Sequence, residues 1–505
     1  MKSGILVATS AFAFVMTVAP LGASASGLSC EDLAKPGLLT DTQVASATLL
    51  PAQGTMPANC KVVATIKPTQ GSNIGVEYRL PIPEKWNGKF LGLGGGGFGG
   101  VIREPQFADG LTKGYASAQT DIGHKETKGP GDGSWAMKAK GVPDADAVTD
   151  YSWRSVKLMT SVGKEIVEKY YGDKPKLSYW NGCSTGGRQG LVFAQRFPED
   201  YDGIIAGAPV YTSHLQLSGV LRTTEMMKRP GSEFTKDVLP VINNAVLGAC
   251  DAQDGVKDGY LTDPTKCKFD PASLVCKPGQ EAGKGCISEN QAAAVNLIYK
   301  GSSFYPGTTR GGEMDWADRY AKHEHRGIGP DMARFMVFLD PGYDPKNFMS
   351  KEDFEAWDAS PVSVEGNASN PEISAYIKRG GKLLLWHGFN DPGPSPLSTV
   401  DYYEKTKSFI GAKSMDSMRL FMVPGMYHCR GGPGPTQFDP IAAMENWVEK
   451  GIAPQTIRAE NKELGFSRPL CPYPMVAKYT GKGDSKDAAN FACVKNDGQE
   501  TAQAR

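Results

Sequence analysis

Nine residues constrain what this chain can fold into more than any others: Trp180-Asn181-Gly182-Cys183-Ser184-Thr185-Gly186-Gly187-Arg188. They follow a strand-like run, Leu177 to Trp180, and precede a helix-like run, Arg188 to Phe197. The segment therefore reads as strand, tight turn, helix, with Ser184 at the turn. Within it, Gly182-Cys183-Ser184-Thr185-Gly186 has the spacing G-x-S-x-G. A serine hydroxyl acts as a nucleophile only when it projects clear of the backbone toward a base, and a strained strand-to-helix turn provides that projection. Small residues two before and two after let strand and helix pass closely. The helix N-terminus also aims free N–H groups at developing negative charge.

Such a turn needs a large sheet behind it, and 505 residues, 40% of them hydrophobic, suffice for one large domain with a major insertion or for two domains. Lysine plus arginine equal aspartate plus glutamate at 55 each, so no basic field points to nucleic acid. Lys2, the apolar run Ile5 to Leu21 and Ala23-Ser24-Ala25 have the three parts of a secretory signal peptide over residues 1–25, cut before Ser26. The run is short for a membrane anchor, and no later apolar stretch is long enough to cross a bilayer. An exported protein, periplasmic or released, without a membrane partner is expected.

Export makes the ten cysteines legible: Cys30, Cys60, Cys183, Cys250, Cys267, Cys276, Cys286, Cys429, Cys471 and Cys493. An even number in an oxidising compartment argues for five disulfides, and no C-x-x-C pair argues for zinc. Sequence alone does not fix the connectivity. Local pairs 30–60, 250–267, 276–286 and 471–493 would leave Cys183 and Cys429 for each other.

Along the chain, Gly27 to Lys67 reads as a stapled lead-in spaced by proline and glycine. Val76 to Leu80 alternates like a strand, and Lys89 to Leu93 runs into Gly94-Gly95-Gly96-Gly97-Phe98-Gly99-Gly100. A phosphate loop would need a following lysine and Ser/Thr, which are absent. An oxyanion-hole loop after an early strand fits better, with backbone donors assigned to Gly95 and to Thr185, the residue after the serine. Tyr115 to Asp121 is a further strand. His124, just beyond it, reads as a residue that shapes its loop. Ser152 to Tyr171 carries Trp153, Val156, Met159, Ile166, Val167 and Tyr170 at helical spacing, and Tyr201 to Gly207 is again strand-like. This strand-helix-strand rhythm argues for a parallel sheet.

After Pro209 the rhythm breaks. Residues 211–369, rich in glycine, proline and aromatics, read as an inserted lid between two parts of one domain, 26–210 and 370–505. Most of the lid's aromatics serve its own core. Inside it, Cys250-Asp251-Ala252-Gln253-Asp254-Gly255-Val256-Lys257-Asp258-Gly259-Tyr260 places three carboxylates within eight residues. Asp251, Asp254 and Asp258 with the carbonyls of Val256 and Tyr260 form an oxygen set for a structural Ca2+, the alternative being a solvated acidic turn.

From Gly381 the strands return. Lys382 to Trp386 leads into His387-Gly388-Phe389-Asn390-Asp391, and Met418 to Val423 leads into Pro424-Gly425-Met426-Tyr427-His428-Cys429. Asp439 caps a helix that begins at Pro440 and runs to Lys450. An acid after one strand and a histidine after the next give the order Ser184, Asp391, His428, and loops at the C-terminal ends of parallel strands converge. Asp401, the competing acid, lies within a helix-like run. His387 is too near Asp391 in sequence to be the base and reads as a residue that supports the site from behind or as a strand-end residue. Cys183 precedes Ser184 and Cys429 follows His428, so one disulfide would tie nucleophile to base, which must approach to roughly 3 Å.

These motifs, with Cys471-Pro472-Tyr473-Pro474, resemble the tannase/feruloyl esterase family, and the matching features span nearly the whole mature chain. The resemblance implies an α/β-hydrolase fold with a large inserted lid, a Ser184–Asp391–His428 triad and a Cys183–Cys429 disulfide. It also implies calcium at Asp251, Asp254, Asp258, Val256 and Tyr260, no organic cofactor, and small esters of aromatic acids as substrates: galloyl, feruloyl and other hydroxycinnamoyl esters, or terephthalate half-ester. A peptidase or thioesterase on the same fold is one rival reading. An exported calcium-dependent binding protein on an inactive scaffold is another.

Overall fold

The computed structural model describes residue 1 and residues 27–496 other than 127, 130, 303–304, 318–324, 326, 412–413 and 415. The expected signal peptide, residue 1 apart, lies outside the described residues. The strands of the main body are β1 (Thr42–Leu50), β2 (Asn59–Ile66), β3 (Ile74–Pro81), β4 (Lys89–Leu93) and β5 (Ala116–Thr120). A small hairpin of β6 (Met137–Ala139) and β7 (Val142–Pro143) stands apart, followed by β8 (Leu177–Cys183), β9 (Gly203–Gly207), β10 (Lys382–Gly388) and β11 (Met418–Val423). Nine of these make one sheet in the order β1-β2-β3-β5-β4-β8-β9-β10-β11. The first four in that order pair antiparallel, and from β5 to β11 every pairing is parallel.

The parallel half is buried on both faces, as crossover helices require. In β10, Leu383 and Leu385 enter one core while Leu384 and Trp386 enter the other. Each fully buried leucine contributes about 1.5–3 kcal/mol. The helix Ser155–Tyr171 lays Val156, Met159, Ile166, Val167 and Tyr170 on the first core and stops at Gly172, whose φ of 76° suits a left-handed C-terminal residue. Asp439 caps the helix Pro440–Lys450 by accepting from the Ala442 N–H.

The lead-in is stapled by Cys30–Cys60, and it also carries strands that the sequence reading did not assign: β1 and β2 form an antiparallel extension at the edge of the sheet. β1 has no buried residue, so it lacks the alternation that marks a half-buried strand. β2 does alternate, with Val62, Ala64 and Ile66 buried.

Between β9 and β10 the described residues add no strand to the sheet. Helices His214–Met227, Val238–Cys250 and Glu289–Lys300 are the longest elements there. Part of this region packs around its own core of Phe234, Ile242, Val295, Ile298, Tyr299 and Trp316. Another part, with Met332, Met336, Phe348 and Trp357, packs on Phe98, Ile122 and Tyr151 of the main body. The cysteines pair as 30–60, 183–429, 250–267, 276–286 and 471–493. Five disulfides fit an oxidising compartment. No helix among the described residues is long and apolar enough to cross a membrane.

Candidate active site

Sheet register brings the site together. Cys183, Gly207, Trp386 and Phe421 pair in one row across β8, β9, β10 and β11. Ser184 therefore leaves the sheet beside the loops that carry Asp391 and His428. Ser184 sits at φ 63° and ψ −119°, a strained conformation for a residue with a side chain, and the helix Thr185–Arg196 starts directly after it. The glycines around it are sterically required. A Cβ on Gly182 would lie 2.6 Å from the Gly186 backbone, and one on Gly94 would lie 2.5 Å from Gly186 Cα.

Ser184 Oγ lies 2.9 Å from His428 Nε2, and His428 Nδ1 lies 2.6 Å from Asp391 Oδ2. The carboxylate only accepts, so Nδ1 carries the proton and Nε2 is left to accept from the serine hydroxyl. Asp391 is fully buried, and its other oxygen accepts from the Gly393 N–H at 2.7 Å. Burial alone would raise its pKa, but His428 and His387 together hold it well below the usual carboxylate range. Cys183 and Cys429 join with Cα atoms 6.1 Å apart.

The glycine loop departs from its expectation. The Gly95 N–H donates to Gln189 Oε1 at 3.1 Å, and its carbonyl accepts from the Gly186 N–H at 2.8 Å. Gly95 is thus held by the helix behind it, and its N–H is not free for an oxyanion. The next N–H, of Gly96, has no acceptor among the described residues, and a Cβ there would meet open space. The Thr185 N–H opens the helix and has no intrahelical acceptor. Gln189, one turn beyond the serine, gave no signal of this part in the sequence.

A small recess reaches Ser184, walled by Tyr151, Ile328, Met332 and Val362, with Gln216 and Asn367 as polar lining. All but Tyr151 come from the insert. The Gln216 amide makes no hydrogen bond to a described residue, whereas Asn367 Oδ1 accepts from the Ser213 N–H. Arg188, from the serine-turn segment, lies beneath, bound to the carbonyls of Tyr151, Ser152 and Gly366.

The other described histidines take different places, and His323 lies outside the described residues. His124 stacks on Trp135 at 4.0 Å, and burial pushes its pKa down to about 4. His214 pairs with Asp358, and His325 contacts Thr224. His387 is fully buried on Asp391 itself, with Nε2 3.0 Å from Oδ2 and Nδ1 2.7 Å from the Thr399 hydroxyl. Asp401, raised in pKa by burial, stands in the helix Pro396–Ile410.

In the acidic loop, Asp251 accepts from the N–H groups of Asp258 (3.3 Å) and Gly259 (3.1 Å). Asp254 accepts from the Val256 N–H at 3.0 Å and from the Thr262 hydroxyl. Asp258 Oδ2 accepts from Arg468 at 2.6 Å, while its Oδ1 is buried without a hydrogen bond. Burial, with the charge of Asp254 added, raises the carboxyl pKa of Asp251 and Asp258. Among the described residues no three His, Cys, Asp or Glu side chains converge as a metal cluster. The all-oxygen donor set and the spare buried oxygen of Asp258 nevertheless fit a hard cation.

A mixed sheet, parallel through its centre, with a serine on a strained strand-to-helix turn and acid and histidine on later strand ends, defines an α/β-hydrolase. The chain has the same overall fold as feruloyl esterase B from Aspergillus oryzae, with a TM-score of 0.82 and 27% identity over 92% of this chain and 99% of that one. It is 31% identical to mono(2-hydroxyethyl) terephthalate hydrolase of Piscinibacter sakaiensis, covering 92% of this chain and 90% of that protein. It is 33% identical to a probable feruloyl esterase of Arthroderma benhamiae, covering 83% and 82%. The family model for tannase and feruloyl esterase matches residues 60–494, and the chain belongs to that family. It is a carboxylic ester hydrolase.

Proposed function

We propose that this enzyme hydrolyses carboxylic esters of aromatic acids, feruloyl and other hydroxycinnamoyl or galloyl esters, through an acyl-enzyme on Ser184. The observation that carries the reading is the unbroken contact from Asp391 through His428 to Ser184 at the mouth of an apolar recess. His428 Nε2 takes the Ser184 proton as Oγ attacks the ester carbonyl. Thr185 and Gly96 N–H groups receive the oxyanion, Gly96 replacing Gly95 because the latter is engaged by Gln189. His428 returns the proton to the departing alcohol, Asp391 stabilises the imidazolium, and water repeats the sequence on the acyl-enzyme. The acyl ring lies against Tyr151, Ile328, Met332 and Val362, and Gln216 faces its polar ring substituents. Relatives named feruloyl esterase support this class. The relative named for a terephthalate monoester keeps that acyl group as the second reading.

Ca2+ belongs to the same reading, held by Asp251, Asp254, Asp258 and the carbonyls of Val256 and Tyr260. When bound, it would supply positive charge to the carboxylates of this one loop and would take no part in the ester chemistry.

The test is a matched panel of methyl ferulate, coumarate and gallate, a terephthalate monoester and an anilide, with fluorophosphonate labelling. Hydroxycinnamate or gallate turnover, with labelling abolished in Ser184→Ala, is expected. A preference for the terephthalate monoester would shift the acyl class. Absence of labelling in the wild type would overturn the enzyme reading altogether.

A further inference from the structure

His387 and Thr399 lie behind the acid, and no step of the mechanism above uses them. We propose that His387, anchored from behind by Thr399, is a positioning residue that sets the orientation and charge of the Asp391 carboxylate; this rests on the triad reading.

Asp391 Oδ2 faces two imidazoles, His428 Nδ1 at 2.6 Å and His387 Nε2 at 3.0 Å. A carboxylate accepts only, so both ring nitrogens donate to it. In the neutral ring of His387, donation from Nε2 leaves Nδ1 as an acceptor. Among the described residues the group at Nδ1 is the Thr399 hydroxyl at 2.7 Å, which can donate or accept. Asp391 itself requires the Nε2–H tautomer, and the Thr399 hydroxyl, turned to donate to Nδ1, leaves the buried ring fully paired. All three residues are buried away from water, where an orphaned or misdirected polar atom is costly.

The elements involved explain how this is built. His387 is the penultimate residue of β10, Asp391 follows four residues later, and Thr399 lies in the first turn of the helix Pro396–Ile410. One strand end, its loop and the next helix thus close on one carboxylate, with the Gly393 N–H fixing the second oxygen. The charged or titratable neighbours acting on Asp391 are His428, from the loop after β11, and His387. Glu313, from the insert, is engaged elsewhere, with the Tyr299 hydroxyl and the Gly311 N–H.

Two consequences follow. The second donor fixes the carboxylate rotamer, so that the imidazole of His428 stays aimed at Ser184. It also withdraws part of the negative charge that stabilises the imidazolium formed in the transition state, so removing it makes that imidazolium easier to form from the resting enzyme. Loss of His387 should therefore lower turnover by misalignment and move the acid limb of the pH–rate profile upward. A role in packing alone would produce the first effect without the second.

The experiment measures pH profiles of kcat and kcat/KM for methyl ferulate, or whichever panel ester the wild type turns over best, in His387→Leu, His387→Gln, Thr399→Val and Thr399→Ser. Gln can present an amide N–H where His presents Nε2, and Val removes the hydroxyl of Thr with little change of shape. The expected result is a fall in kcat of roughly 10- to 100-fold in His387→Leu, the range found when partners that orient a functional side chain are removed. A smaller fall is expected in Thr399→Val, with KM little changed in both. The acid limb should move up in these two variants, while His387→Gln and Thr399→Ser should return the profile toward wild type. If His387→Leu does not fold, Thr399→Val against Thr399→Ser decides the matter alone. An unmoved acid limb in Thr399→Val, or equal impairment of Leu and Gln variants with the wild-type profile, overturns the inference. An inactive wild type would instead overturn the triad reading, so the two failures are separable.

Discussion

Ser184, Asp391 and His428 stand on loops leaving adjacent parts of a parallel sheet, and a disulfide spanning 246 residues stitches two of those loops together. The insert is built differently. Its disulfides span 17 and 10 residues, and much of it packs around a core of its own. The contrast follows from what each region has to hold. Reacting atoms must stay within a fraction of an ångström of their working positions, and loops distant in sequence keep such a distance only with support from elsewhere. Pocket walls tolerate more, so Ile328, Met332, Val362 and Gln216 can be supplied by a region that folds largely by itself and leans on the site.

Cutting one cross-link in each region should have unequal effects on activity. Removing Cys183–Cys429 with two alanines should lower kcat/KM on the order of 100-fold, because the base loop is no longer tied to the serine turn. Removing Cys276–Cys286 in the same way should leave kcat/KM within about twofold, with any cost appearing in stability. Equal losses of activity in the two double variants would erase the distinction.

A smaller effect is expected from chelation. With the proposed Ca2+ withdrawn by EDTA, the melting temperature should fall by a few degrees, on the scale of about 2–4 °C per kcal/mol for chains of 150–250 residues and less for a longer one. Added Ca2+ should restore it, and kcat at 25 °C should stay within about twofold. A melting temperature indifferent to both reagents removes the metal from the account.

The smallest effect separates two buried carboxylates. Asp391, on the sheet side, has a folded pKa depressed below its ordinary 3.8 by His428 and His387 against the pull of burial. Its contribution to stability is present above that value and is lost as pH falls through the folded one. Glu313, in the insert, is shifted the opposite way: burial raises it above 4.5, against hydrogen bonds from Tyr299 and Gly311. Its contribution is complete below 4.5 and is lost as pH rises through the folded value. Urea unfolding of Glu313→Gln should therefore show a stability difference from wild type that moves in favour of the variant as pH rises from 4.5 to 8. A difference that stays flat across this range would mean that Glu313 carries no such linkage.

Much of this was readable without coordinates, for a common reason. Lys89–Leu93 and Met418–Val423 are strands with the bounds their apolar runs indicate, and Asp439 caps its helix as its neighbours Pro440 and Ala442 require. In each case the determining contacts lie within a few residues. β1 was not legible, because an exposed edge strand needs no apolar period and is defined by its partner β2. His387 could be noticed beside Asp391, but its partner Thr399 could not, since nothing in a helical threonine marks what its hydroxyl faces.

By itself, then, the sequence determined the serine turn, the order in which acid and histidine follow it, and the cysteines flanking serine and histidine, because each is written in adjacent residues. Tertiary structure alone decided that the Gly95 N–H is not free for an oxyanion, because Gln189 folds back to accept from it. It also decided that two imidazoles share one oxygen of Asp391. Both outcomes depend on where a side chain from another turn or element comes to rest, and no local pattern carries that information.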